Sequence, residues 1–488
     1  MVSLSQMDVL AKLFEERFKA PPERIEPLQS HLSGSGRRII RLSGRATTAI
    51  GILYDVREEN VAFLEFSRHF RKHGLPVPEI YGEALEQGAY LEEDLGDTTL
   101  YEFLSANRED DDIAPAVIEA YRKSVALLPR FQVGAGRDLN YKVCYPRDSF
   151  DRQSIAWDLN YFKYYFLRLA GIPFNEQALE NDYSRFTKFL LSADRDYFLY
   201  RDFQSRNIML RDGEPWFVDY QGGRKGALQY DIASILFDAK ADLTPQVRGQ
   251  LLKHYLNALG NYIDLDRDAF MHYYYAYVYV RQMQALGAYG FRGFYERKPL
   301  FLASVPYALK NIRWLIENVE LPISLPTLME AFRNMLASEK LKAIAAEPSH
   351  AAEPDKLTVR IFSFSFHRGG PPTDASGHGG GYVFDARAVP NPGREERFKA
   401  LTGKDAPVVD YLLQQPSAHE FIANVESLVN ASIKEYQRRG FKNLMVSFGC
   451  TGGQHRSVYF AEQLANHLRE RNGIDVVLQH RELEKLGE

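Results

Sequence analysis

Cysteine is nearly absent from this 488-residue chain, which has only Cys144 and Cys450. That excludes a disulfide-rich scaffold and a four-cysteine zinc site. No apolar run approaches the roughly 18 residues a membrane-crossing helix needs. Residues 1–20 mix Lys12, Glu15, Glu16 and Arg17 with apolar residues at helical spacing. This pattern predicts an amphipathic helix and lacks the apolar block and cleavage site of a signal peptide. The expectation is a soluble, cytoplasmic protein with no membrane partner. An excess of either charge is also lacking: 60 Lys+Arg stand against 64 Asp+Glu, a formal charge of −4. The average therefore gives no reason to expect a polyanionic partner, although a local patch can hide within it. What is present is ordinary for a globular protein, with 45% hydrophobic and 25% charged residues, enough for sizeable cores. At roughly 150 residues per domain, length alone suggests about three domains.

One stretch breaks the composition. Residues 338–356, SEKLKAIAAEPSHAAEPDK, are rich in Ala, Glu, Lys and Pro and contain no aromatic residue. They read as a solvated linker or a fraying helix end, dividing a domain at 1–337 from another at 357–488. The first domain reads as α+β. It has a helix near 4–19, strands at 39–42 and 49–54, a helix at 60–73 ending at Gly74, and a strand at 89–92. Mainly helical patterns follow, interrupted by short strands around 199–218. The second domain alternates strands at 357–366, 382–385, 443–448 and 474–479 with loops and helices, a smaller α/β plan. No internal repeat is visible.

The sharpest motif is Tyr200-Arg201-Asp202-Phe203-Gln204-Ser205-Arg206-Asn207, followed by Val218-Asp219-Tyr220-Gln221. An Asp and an Asn five positions apart, then an Asp ending the next strand, is what phosphoryl transfer requires. Asp202 accepts the proton of an attacking hydroxyl. Asn207 and Asp219 supply hard oxygen ligands for Mg²⁺, which bridges nucleotide phosphates. Taken alone, Asp202 and Asn207 also fit loop and cap residues with local hydrogen bonds. The added Asp219 and an upstream Gly loop shift the balance to chemistry.

These residues resemble the aminoglycoside phosphotransferase superfamily, small-molecule relatives of the protein kinases. Much of 30–300 is similar to the anomeric N-acetylmuramate/N-acetylglucosamine kinases. This resemblance is carried by Ser35-Gly36-Arg37-Arg38, Gly74-Leu75-Pro76-Val77-Pro78-Glu79-Ile80, Glu93-Asp94-Leu95-Gly96 and Gln229-Tyr230-Asp231-Ile232-Ala233-Ser234-Ile235-Leu236. It implies a two-lobed protein-kinase-like fold using ATP and Mg²⁺. Gly34, Ser35, Gly36, Arg37 and Arg38 would cover the phosphates, and the stretch from Glu92 through Glu93 to Leu95 would meet adenine. Asp231 would hold the catalytic loop. Protein kinases grip phosphates with a third-strand Lys. Here that strand is Ile50-Gly51-Ile52-Leu53-Tyr54-Asp55, so Arg37, Arg38 or Arg41 is expected to supply the charge. Asp158 and Arg281 are the candidates for contacting an acceptor, an amino sugar or other small alcohol. The aromatic residues around them also fit a core role.

In the second domain, Phe448-Gly449-Cys450-Thr451-Gly452-Gly453-Gln454-His455-Arg456-Ser457 follows a strand and opens a helix. Glycines that aim N–H groups at a helix N-terminus, with an Arg fork, make an anion site. Cys450 and Arg456 also fit Cys-x5-Arg-Ser, the loop of thiolate phosphatases, but no acid for the leaving group is evident. Residues 357–488 resemble the C-terminal domain of RapZ, the bacterial RNase adapter. The carriers are Val383-Phe384-Asp385-Ala386-Arg387, Pro390-Asn391-Pro392, Leu401-Thr402-Gly403, the Gly449–Val458 run and His480-Arg481. The resemblance implies an α/β domain with a strand–Gly loop–helix anion site that senses a hexosamine phosphate. Its candidates are Arg387, Cys450, Thr451, Gly452, Gly453, His455, Arg456 and Ser457. RNA binding is not favoured: from residue 356 onward 17 basic residues face 15 acidic ones, weak for many phosphate contacts. The combined expectation is an ATP- and Mg²⁺-dependent amino-sugar kinase acting at the anomeric hydroxyl, with a sugar-phosphate-sensing domain. The rivals are an RNA- or protein-binding adapter with a nucleotide-sensing kinase-like half, and a bifunctional kinase–phosphatase.

Overall fold

The computed structural model describes residues 4–28, 36–109, 112–346, 357–374, 381–438, 441–469, 471 and 473–484. They divide into two compact units, Met1–Phe291 with Ser304–Ile344, and Arg292–Ala303 with Ala345–Glu488.

The first unit opens with helix α1 (Leu4–Phe18), then β1 (Arg24–Pro27), β2 (Arg38–Ser43), β3 (Thr48–Leu53), helix α2 (Arg57–Lys72), β4 (Ile80–Ala84) and β5 (Ala89–Glu93). The strands form an antiparallel sheet in the order β1-β2-β3-β5-β4. Leu10, Leu13 and Phe14 of α1 bury against Ile40, Leu42, Leu53 and Leu91 of the sheet. Helix α2 carries Glu58 and Glu59 in its first turn and His69, Arg71 and Lys72 in its last, each complementing the helix dipole. Its Phe63, Phe66 and Phe70 are buried.

A larger helical part follows. Its centre is the 24-residue helix Arg267–Gly290, whose segment Ala276–Met283 is buried throughout. Between helices Glu176–Leu191 and Gln229–Leu236 lie four short strands in two antiparallel pairs. Tyr197–Leu199 pairs with Arg224–Gly226, and Ile208–Arg211 with Glu214–Phe217. The sequence patterns predicted the main strands and helices of this unit. They missed β1, a four-residue edge strand ending in Pro27, the edge strand β4, the strand Ile208–Arg211, which was read as part of a polar loop, and the three-residue strand Arg224–Gly226, all too short or too irregular to show clear alternation.

The second unit is a four-stranded parallel sheet in the order Gly381–Asp385, Asn443–Cys450, Leu357–Ser365, Ile474–His480. The two central strands are buried almost throughout, while exposure alternates along the edge strands, as expected when helices cover both faces of a parallel sheet. Helices Ala406–Leu413, Pro416–Arg438 and Arg456–Arg469 complete it. The 338–356 stretch begins with the helix Glu339–Ala346; residues 347–356 lie outside the described residues.

Candidate active site

The catalytic loop follows the strand Tyr197–Leu199 and is anchored from beneath. Asp231 accepts the backbone N–H of Tyr200 at 2.8 Å and of Arg201 at 3.0 Å, and the Gln132 amide at 3.1 Å. Asp238 accepts the Ser205 hydroxyl at 2.6 Å. The next hairpin pairs Ile208 with Phe217, so the residues just outside that register lie opposite each other. Val218 N–H donates to the Asn207 carbonyl at 3.1 Å. This register brings together Asn207 and Asp219, twelve positions apart in sequence. The Asn207 amide donates to Asp219 Oδ2 at 3.1 Å and to the Asp202 carbonyl at 2.8 Å. Both amide protons are thereby engaged, leaving the carboxamide oxygen to act as a ligand beside the Asp219 carboxylate. An amide oxygen next to a carboxylate is a donor set suited to a hard divalent cation.

Two non-glycine residues at the site, Arg201 and Asp219, hold positive φ values of 81° and 66°, a cost expected where neighbours over-determine the backbone. Tyr220 shows how. Its hydroxyl lies 2.6 Å from Ser67 Oγ and its ring stacks on Phe63 at 4.9 Å, both on α2. A groove of about 390 Å³ beside α2 is lined by Ser67, Arg71, Pro78, Glu79 and Ile80.

A cationic group reaches the site from just before β2. Arg37 reaches Asp219 Oδ1 at 3.4 Å and Glu59 Oε2 at 3.0 Å, and its guanidinium lies over the Tyr54 ring. One arginine thus joins the candidate metal-binding carboxylate to Glu59 in the first turn of α2; the Arg37–Glu59 pair is comparable to the Lys–Glu ion pair of protein kinases. Of the three candidates, Arg38 instead bonds Gln6 at 2.9 Å, and Arg41 pairs with Asp94 at 2.7 Å and Asp97 at 2.8 Å. Gly36 precedes Arg37, and a Cβ there would sit 3.6 Å from the Tyr54 ring. Gly34 and Ser35 lie outside the described residues. The Glu93 carboxylate is held by Arg71 and Arg211, and its N–H donates to the Glu79 carbonyl; Leu95 is buried.

Asp158 differs most from expectation. Its two oxygens accept both terminal nitrogens of Arg201, at 2.7 and 2.8 Å. Its carboxylate therefore braces the catalytic loop. Arg281 is buried and donates to Ser234 at 2.9 Å and to Gln284 at 2.5 Å.

Burial raises the Asp202 carboxyl above the ordinary range, Asp219 pushes it further, and Arg201, Arg281 and Arg206 oppose. Burial likewise raises Glu59 against the pull of Arg37. Sequence reasoning missed Glu59, whose only sequence signal is an acid in the first turn of the helix after β3, and it read Glu92 only as main chain in the stretch expected to meet adenine, not as a buried carboxyl. The Glu92 carboxyl is buried on β5, its Oε2 has no hydrogen-bond partner, and burial pushes it up to about 8 against the charge of Arg37. An ordinary Glu titrates near about 4.3. The folded chain therefore keeps this proton through a window in which the unfolded chain has lost it, and stability declines as pH rises across that window. Urea unfolding of Glu92→Gln should show a flatter pH profile and higher stability than the parent above pH ~8.

In the second unit the Gly loop links Asn443–Cys450 to Arg456–Arg469. Gly453 has φ 73°, and a Cβ there would meet Glu482 Cγ at 2.5 Å, so no other residue fits without displacement. Its N–H donates to Cys450 Sγ at 3.2 Å, and Ser457 Oγ lies 3.2 Å from the same sulfur. Cys450 is 3% exposed. Arg456, 4% exposed, donates to the carbonyls of Arg387 and Val389 and to Thr451 Oγ1, and its Nε has no partner. Among the described residues no carboxylate bonds this guanidinium, and a buried one with an unsatisfied N–H suits an incoming anion. His455 is tied to the Phe398 carbonyl at 2.8 Å. Thr451 and Gly452 are exposed. Arg387 pairs with Asp385 and stacks on Phe366.

Comparison with known proteins agrees with this division. Residues 36–270 match the phosphotransferase enzyme family, and residues 357–484 match the RapZ C-terminal domain. A nucleotide-binding protein of Xylella fastidiosa is 42% identical over 130 residues, 27% of this chain and 43% of that protein. One of Methylibium petroleiphilum is 36% identical over 195 residues, 39% of this chain and 61% of that protein. The chain thus spans less than two thirds of the length of these relatives. Among solved structures, choline kinase from Cryptosporidium parvum aligns at TM-score 0.46 and 10% identity, over 67% of this chain and 99% of that one. Plasmodium vivax ethanolamine kinase aligns at 0.43 and 13%, over 59% and 81%. No described helix is long and apolar enough to cross a membrane.

Proposed function

We propose, for a chain that joins a phosphotransferase-family domain to a RapZ C-terminal domain, that it is an ATP- and Mg²⁺-dependent kinase of an amino sugar, acting at the anomeric hydroxyl. The observation that carries this reading is the Asn207 amide, within 3.1 Å of Asp219 Oδ2 and 2.8 Å of the Asp202 carbonyl. Asp202 takes the proton of the acceptor hydroxyl as that oxygen attacks the γ-phosphorus. The bond from γ-phosphorus to the bridging oxygen breaks, and ADP leaves. Asn207 and Asp219 would hold Mg²⁺, which would supply charge neutralisation for the phosphates. Arg37 and the backbone at Gly36–Arg37 would provide positive charge and N–H donors to the same oxygens. Arg281 is the proposed acceptor contact. Asp158 acts on the acceptor through Arg201, by fixing the loop that carries Asp202.

The second domain would bind a hexosamine phosphate at the 450–457 loop, with Arg456 and the loop N–H groups on the phosphate and Arg387 at its rim. This ties the kinase to amino-sugar supply. A radiolabelled-ATP screen over N-acetylated hexosamines tests the kinase reading. Transfer to their anomeric oxygen is expected; transfer only to an unrelated alcohol would remove the sugar assignment. For the second domain, glucosamine 6-phosphate at 100 times its Kd should raise stability by about 2.7 kcal/mol. Arg456→Ala should abolish that shift in thermal unfolding while leaving turnover at low sugar phosphate intact.

A further inference from the structure

His69 and His73 stand one helical turn apart at the C-terminal end of α2, and Asp138 ends the turn Ala135–Arg137 opposite them. The Asp138 Oδ1 lies 3.1 Å from His73 Nε2 and 3.5 Å from His69 Nε2. The three ligand atoms all fall within 4.8 Å of one another. An ion about 2.0–2.1 Å from each of two imidazoles and a carboxylate sees those atoms roughly 3.3 Å apart at the tetrahedral angle, close to the two separations observed. We propose that His69, His73 and Asp138 form a binding site for a borderline divalent transition-metal ion, Zn²⁺ being the fitting case, separate from the oxygen-ligand site at Asn207 and Asp219.

The surroundings favour a built site over a chance meeting of side chains. Arg130 already ties the His73 and Gly74 carbonyls to the segment leading into the turn, at 3.1 and 3.2 Å. The turn itself is pressed against the strand Tyr197–Leu199. A Cβ on Gly136 would lie 2.9 Å from Phe198 Cβ, and Tyr141 donates to the Gly136 carbonyl at 2.7 Å. Both halves of the ligand set are thus held before any ion arrives. The imidazoles are partly buried and the carboxylate is 63% exposed, so an ion enters from solvent and water fills its open position. Imidazole with carboxylate selects zinc-like ions over Mg²⁺. His69 Nε2 now lies 2.8 Å from the Ala135 carbonyl; it exchanges that partner for the ion, the neutral ring then carrying its proton on Nδ1. The bound ion would cross-link the end of α2 to the helical part of the same unit.

The test uses the full-length, chelator-stripped protein in excess Mg²⁺ and ATP, which keeps Asp219 occupied. Calorimetric titration with Zn²⁺ should give one site per chain. Co²⁺ should give a visible d–d band that Zn²⁺ bleaches, and Zn²⁺ should raise Tm. His73→Ala and Asp138→Ala should each weaken this site by about 100-fold, while Asp219→Ala leaves it unchanged. Circular dichroism without metal checks that each variant is folded, and if one is not, the other carries the comparison. Absence of a Zn²⁺ site in the parent, or parent-like binding in a folded His73→Ala or Asp138→Ala, overturns the proposal.

Discussion

Asp202→Asn is expected to slow phosphoryl transfer by about 10³-fold, within the range found for loss of a positioned general base. Nucleotide affinity should hold. The tether from Asn207 goes to the backbone carbonyl of Asp202 and not to its side chain, so the substitution removes the base and keeps the loop. Isothermal titration with an ATP analogue and Mg²⁺ separates the two effects. A simultaneous collapse of binding would mean that Asp202 is structural. The parent enzyme has a matching pH signature. Burial and Asp219 raise the Asp202 carboxyl, and only its carboxylate form accepts a proton. The acid limb of kcat/KM should therefore lie at higher pH than an ordinary Asp would give, and rate should fall as pH drops through that limb.

Arg201→Ala should cost about 3–5 kcal/mol of stability, because it leaves the Asp158 carboxylate buried without its bidentate partner. Arg201 also faces the rings of Phe150 and Tyr230 at 5.4 Å, and a methyl group replaces none of that contact. Urea unfolding measures the loss. The double change Arg201→Met with Asp158→Leu should recover most of it, since the penalty belongs to the stranded charge and not to the absence of the pair. In whatever Arg201→Ala remains folded, the acid limb of kcat/KM should move to still higher pH, because Arg201 is the foremost of the charges that lower the Asp202 carboxyl. A fully stable Arg201→Ala would refute the bracing role of Asp158.

These two residues mark where sequence reading succeeds and where it stops. That Asp202, Asn207 and Asp219 lie together was legible because they sit in one loop and one hairpin, and local register alone brings them together. Asp158 reads as an unpaired acid among aromatic residues on a helix. Its partner lies 43 positions away, and no local pattern records a pairing at that distance. The same holds for Arg37 and Glu59, 22 positions apart. The missing third-strand Lys was visible, and so was the small set of arginines able to replace it. Choosing among them required knowing that β2 directs Arg41 toward Asp94. In the second unit the Gly loop was plain from composition. The engagement of Arg456 with two backbone carbonyls was not, because those carbonyls come from a segment nearly seventy residues earlier.

Tyr220 gives the site a handle at its rear. With its ring on Phe63 and its hydroxyl against Ser67, Tyr220 ties helix α2 to the residue beside Asp219, and a lever linking the two would follow from that tie. The groove lined by Ser67, Arg71 and Pro78 opens onto the same serine. A compound wedged there would tilt the lever and misplace Asp219 without entering the nucleotide's seat, and its inhibition would not be relieved by raising ATP.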